Sequence, residues 1–166
     1  MSEQQDVIHV ARAGRLVYAR VDGLGNFSNA LMFEEFCEAE LQQGVDGFVI
    51  DLSACGGMDS TFMGVMAGLS MHFPPGKSPI LVLNASAKNR QLLDDLGLSK
   101  LITVRGKPER IPQLEMQALP SDTLPARARS ERIRKAHEQL GAADERNAEK
   151  FGPFLKILKQ ELGAAG

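Results

Sequence analysis

Short runs of β-favouring residues and stretches with helical apolar spacing follow one another along this chain. Arg15 to Val21, ending at the turn signal Asp22-Gly23, reads as a strand, and Val7 to Val10 as a weaker one before it; the two predict a hairpin. From Ser28 the spacing changes. Leu31, Met32, Phe36, Ala39 and Leu41 stand among Glu34, Glu35, Glu38 and Glu40, which predicts an amphipathic helix stopped by Gly44. Phe48-Val49-Ile50-Asp51-Leu52 is apolar with little alternation, the pattern of a strand covered on both faces. Ile80 to Leu83 and Leu101 to Val104 repeat that style, separated by helical stretches at Thr61 to Met71 and Ala87 to Leu96, the latter closed by Gly97. Strand, helix, strand, helix, strand is the grammar of parallel βαβ units, so the pattern predicts an α/β fold.

Past Val104 the pattern dissolves into Gly106, Pro108, Pro112, Pro120 and Pro125, which reads as a linker in which Ile111 to Leu119 could hold a helical turn. Residues 126–162 are helical again, with Ile133 and Leu140 seven apart and a stripe of Phe151, Phe154, Leu155, Leu158 and Leu162; Gly141 and Gly152-Pro153 are the expected breaks. A short helix is marginal in water without a packing surface, so this stripe must be buried against its own core or against a second copy, with a dimer contact slightly favoured. The expected organisation is a domain at 1–106, a Pro-containing linker at 107–125 and a helical C-terminal extension at 126–166.

Charge sharpens that division. The formal net charge is -2, yet residues 125–166 hold nine Lys/Arg against six Asp/Glu, leaving the front at -5 and the tail at +3. With 43% apolar and 24% charged residues the 166-residue chain is of ordinary globular composition, enough for one good core. No apolar run approaches the roughly 18 to 20 residues of a membrane span, and Met1-Ser2-Glu3-Gln4-Gln5-Asp6 is no leader, so no membrane association is expected. Cys37 and Cys55 are too few for a disulfide framework, and with His9, His72 and His137 scattered they make no metal-ligand spacing; a reducing cytoplasm is the expected compartment.

The candidate chemistry sits in the stretch from Phe48 to Met66, a strand, a short loop and a helix start. Asp59, Ser60 and Thr61 all carry oxygens that can accept from the free amides of a helix's first turn, so one of them should be the N-cap. A hydroxyl there also lies where the helix dipole and free amides stabilise an added anion, so a phosphate on Ser60 would be tolerated by the fold. Ser60, Gly64, Ala67 or Gly68, and Met71 recur at helical spacing as a small-residue track. The track either admits another surface closely or lets the helix pack tightly on its own sheet, with Phe62, Val65, Met66 and Leu69 opposite it.

At this point the residues resemble the STAS family, the anti-sigma factor antagonists and their relatives, over roughly residues 6–106. The markers are Asp51-Leu52-Ser53, the Met58-Asp59-Ser60-Thr61 helix start, Asn84, the Lys88-Asn89-Arg90-Gln91-Leu92-Leu93 helix and Leu96-Gly97-Leu98. The resemblance implies a mixed sheet with helices mainly on one face. It also implies a partner switch, in which Ser60, or as second choice Thr61, is phosphorylated by an anti-sigma factor/serine kinase of the histidine-kinase-like fold. A metal-dependent serine phosphatase would reverse the modification. Asp59, Ser60, Thr61 and Gly64 would form the partner-binding surface. The family usually has Gly after the Ser-Thr pair where this chain has Phe62, a departure that falls on that surface. The domain itself would need no cofactor, ATP and metal coming with the partners. The alternative is a ligand-sensing or scaffold STAS module in which Ser60 is never modified.

Enzymatic activity is not expected. There is no Gly-x-Ser-x-Gly elbow, no assigned base for Ser60, and no Gly-x-Gly-x-x-Gly or Walker loop. Arg127, Arg129, Arg132, Arg134 and Lys135 form the one basic cluster. It reads as a solvated helix face that could also meet the acidic front of another molecule, and direct nucleic-acid binding is not expected without a stronger basic excess and a reading helix.

Overall fold

A computed structural model describes residues 5–164, so the outermost residues of the expected 1–106 and 126–166 segments lie outside the described residues. Strands β1 (Val7–Ala13) and β2 (Leu16–Gly25) form the expected hairpin, turning at Gly14 with φ +62°. Helix α1 (Phe27–Gln42) then leads to β3 (Gly47–Asp51), β4 (Cys55–Met58) and α2 (Ser60–Ser70). After these come β5 (Ile80–Leu83), α3 (Ala87–Asp95), a 3-10 turn at Leu98–Lys100, β6 (Thr103–Val104), β7 (Gln117–Ala118), α4 (Ala126–Ala143) and α5 (Glu145–Ala164). The sheet runs β6-β5-β3-β2-β1-β7, with β4 paired to an extension of β2.

The parallel strands β2, β3, β5 and β6 step across the sheet in one direction. Because βαβ crossovers are right-handed, stepping one way places successive helices on one face, which is why the fold is one-sided as expected. The core lies between that face and the helices. Ile8, Val10, Val17, Ala19, Val21, Phe48 and Ile50 pack with Phe33, Phe62, Met66 and Leu69. The uninterrupted apolar run of β3 is buried at every position, while β1 and β2 alternate.

Four features depart from the sequence reading. Cys55 lies in a strand, not a loop: β4 runs through Gly56 and Gly57 alongside Gly23 to Gly25 of β2, a pairing imposed by position and not by β-propensity. Only Thr103 and Val104 of the third parallel run are strand, because the Leu101 and Ile102 amides turn back to the Leu98 carbonyl and close the 3-10 turn. The linker holds no helical turn; Gln117 and Ala118 pair with Val10 and His9, and the Leu119 amide donates to the Ile8 carbonyl at 2.9 Å. The tail breaks at Asp144, in extended conformation, while Pro153 sits inside α5. Gly152 makes that tolerable, since a residue without Cβ relieves the crowding that proline imposes on its predecessor.

Candidate functional site

The site is built where β3 and β4 hand over to α2. Asp51 closes β3 and its Oδ1 accepts from the Ser53 amide and from Asn84 Nδ2, both at 2.9 Å. Asn84 stands at φ +60° and also accepts from the Glu109 amide at 2.9 Å, joining the ends of β3 and β5 to the segment after β6. Asn89 donates to the Cys55 carbonyl at 3.1 Å and Lys88 to that of Gly56 at 3.1 Å, fixing α3 against β4. Several of the Asp, Ser, Asn and Lys markers are thus brackets that hold the frame.

Asp59 is the N-cap. Its Oδ1 accepts from the Phe62 amide at 2.9 Å and its Oδ2 from the Phe27 amide at 2.8 Å, so one carboxylate secures the starts of both α2 and α1. Ser60 is the first residue of α2 and half-buried, whereas Thr61 is buried. Phe62 turns inward: its ring lies against Gly25, where a Cβ would come within 2.9 Å of it, and stacks on Phe33 with centroids 6.2 Å apart. The departure at Phe62 therefore changes the core and not the exposed face.

From Thr61 to Ser70 every residue of α2 is buried. The sheet accounts for one side. The other is covered by α4 of the same chain, along the small-residue track. A Cβ on Gly64 would collide with the Ala136 carbonyl and one on Gly68 with the Gln139 amide, so the two backbones meet at Gly64. At the head of the track Ser60 Oγ lies 2.7 Å from His137 Nε2, and His137 Nδ1 lies 2.8 Å from the Ile133 carbonyl. A carbonyl can only accept, so Nδ1 carries a proton; in the neutral ring Nε2 is then the acceptor and the Ser60 hydroxyl donates. The ring is boxed by Phe151 and Phe154, with centroids 5.0 and 4.8 Å away.

Charge seats the tail as well. Arg132 donates twice to Glu34 Oε1, at 2.7 and 3.1 Å, and the Glu34 side chain is only 4% exposed. Arg129 pairs with Asp122 at 2.9 Å. Asp144, at the corner before α5, receives Arg146 at 2.8 Å and Lys100 at 3.0 Å; these hydrogen bonds, Arg146's first, hold its carboxyl well below the usual carboxylate range. Arg129 and Arg132 of the basic cluster thus face acidic groups of their own chain, and much of the apolar tail stripe is used there too. Leu140 and Leu158 are buried and Phe151 packs on the core, leaving Phe154 and Ile157 exposed.

The structure places Asp59, Ser60, Thr61 and Gly64 at the start of α2, with Thr61 buried and Gly64 beneath α4, and adds His137, which the sequence reading did not connect to Ser60. A signal that α2 is covered was present, though not of what covers it: Ser60 to Ser70 contains no charged residue, and a helix without a polar face is covered on all sides. Beside the covered track, an open cleft of about 290 Å³ is lined by Leu24, Asn26, Met58, Asp59, Lys88 and Leu92, of which Leu24 is exposed. Burial pushes both thiols up, Cys37 the more strongly, so neither is an activated nucleophile. Among the described residues no group of three His, Cys, Asp or Glu could hold a metal ion, and no helix is long and apolar enough to cross a membrane.

No curated protein matches the sequence. Among solved structures, the chain is similar to an anti-sigma factor antagonist from Mycobacterium paratuberculosis at 20% identity and a TM-score of 0.51, covering 60% of this chain and 86% of that one. It is similar to the anti-sigma factor antagonist SpoIIAA in its unphosphorylated form at 16% identity and a TM-score of 0.50, covering 60% of this chain and 89% of that one. These likenesses support the fold, a mixed sheet of SpoIIAA type to which the C-terminal helices are added. Residues 7–110 match the STAS domain family, and since that is well over half of the chain, this protein belongs to the STAS domain family.

Proposed function

We propose that this chain is an anti-sigma factor antagonist that works by partner switching, with Ser60 as the phosphorylated residue. The observation that carries the reading is the placement of Ser60 as the first residue of α2, directly after the Asp59 cap, on a STAS fold. The burial of Thr61 favours Ser60 over it as acceptor. A phosphate brings roughly -1.5 to -2 charges at neutral pH, beside the Asp59 carboxylate and at the positive end of the helix dipole. The start of α2 would tolerate it, and any surface docked over Ser60 would feel it. The partners in this reading are a serine kinase of the histidine-kinase-like fold, which doubles as the anti-sigma factor, and a metal-dependent serine phosphatase; the chain acts without a cofactor in the cytoplasm.

The scaffold reading, in which Ser60 is never modified, is favoured by one observation: its hydroxyl already has a resident partner in His137. Peptide mass spectrometry of the protein from its native cells separates the two. Phosphate on the peptide containing Ser60, with altered capture of an ATPase-fold partner by S60A, is the expected result. An unmodified Ser60 together with unchanged capture would leave the scaffold.

A further inference from the structure

The outer face of α2 is shaped for a helix. Two glycines one turn apart, Gly64 and Gly68, remove the side chains that would keep another helix at a distance, and α4 exploits this by laying Ala136 on the first and Gln139 on the second. At one end Ser60 supplies a hydrogen bond; beside the track Glu34 supplies a nearly buried carboxylate. The seat is not perfectly fitted. Gln139 Oε1 is buried with no hydrogen-bond partner among the described residues, the kind of defect that weakens an occupant without preventing it from docking. Ala136 and Leu140 of α4 enter the main apolar core, while the edges of the tail rest on the Arg132, Arg129 and Asp144 ion pairs, which water and salt weaken more readily than buried apolar contacts.

We propose that this face is a helix-docking surface whose resident occupant is α4, and that an outside partner gains Ser60 by displacing α4 with a helix of the same chemistry. Such a helix carries a small residue over Gly64, a basic residue facing Glu34, and a hydrogen-bonding side chain over Ser60. The connection to signalling rests on the function proposed above: a phosphoryl group on Oγ takes the place of the hydroxyl proton given to His137 and cannot fit into a 2.7 Å contact, so modification and α4 docking exclude each other.

The test is alkylation by N-ethylmaleimide of a thiol introduced by S60C in the full chain, read at that position by peptide mass spectrometry, with M71C, at an exposed site, as the free reference. The S60C thiol is expected to react at least about tenfold more slowly than the M71C thiol, and A136E, which forces a carboxylate onto the Gly64 contact, is expected to raise its rate about tenfold while hydrogen exchange in β2, β3 and β5 stays slow. A synthetic peptide of residues 126–143, added to the S60C/A136E chain, should restore protection, and G64L should abolish that rescue. Equal rates for the S60C and M71C thiols, a rate rise that tracks unfolding of the sheet, or a peptide that gives no protection would each overturn the proposal. None of these readouts requires phosphorylation, so an unmodified Ser60 in cells would sink the switch and leave the docking surface standing.

Discussion

The sheet with its inner helix faces and the C-terminal helical pair are held by different mixtures of forces. In the first, Phe48, Ile50, Phe33 and Phe62 are buried among apolar neighbours, and the contribution scales with area removed from water. In the second, Ala136 and Leu140 join that same apolar core, and a glycine contact, a serine to histidine hydrogen bond and a set of ion pairs surround them. Core burial resists salt and acid; charge pairs do not. The expectation that follows is a tail that opens before the sheet does, because more of what seats it is charge.

The largest blow to this comparison should come from Phe48→Ala. A buried phenylalanine lost from β3 costs about 3–5 kcal/mol, and sheet and tail should unfold together at a lower denaturant midpoint. Should the tail alone loosen, the two regions would not be divided as described. Glu34→Ala comes next. It removes the carboxylate that takes two of the Arg132 hydrogen bonds and leaves the guanidinium, among the described residues, only the Leu31 carbonyl at 3.3 Å, at a cost of about 1–3 kcal/mol, expected to appear as faster hydrogen exchange in α4 with the strands unchanged.

Acid sharpens the contrast further. Asp144 is depressed in the folded state, so its contribution is fully present above its unfolded value of about 3.9 and is lost as pH falls below that toward the folded value. Exchange at residues 144–147 should therefore be constant from neutral pH to about pH 5 and, after correction for intrinsic rates, accelerate below about pH 4, earlier than in β3. The smallest effect belongs to Arg134→Ala, whose pairing with Glu138 is local to the surface of α4; less than about 0.5 kcal/mol is expected in a denaturant titration.

Much of the α/β frame could be read directly from periodicity. The buried run of β3, the β1–β2 hairpin and the capped helices each carry a local signal, down to Gly44 and Gly97, which take φ of +94° and +70° where helices end. The misses share a cause. The glycine-rich β4, the two-residue β7 and the Asp144 corner have little propensity of their own and exist because another part of the chain lies beside them. At the site, the helix start and its cap were legible because capping is local chemistry. That His137 reaches Ser60 was not, because the pair is 77 residues apart and nothing in either neighbourhood names the other.

That separation has a consequence in time. A polypeptide is made from its N-terminus at about 5–20 residues per second. The residue that will cover Ser60 is therefore added some 77 positions later, a delay of about 4 to 15 seconds at that pace. Each newly made molecule passes through an interval in which the serine has emerged and its cover has not, so synthesis itself opens a window that α4 narrows once it is made.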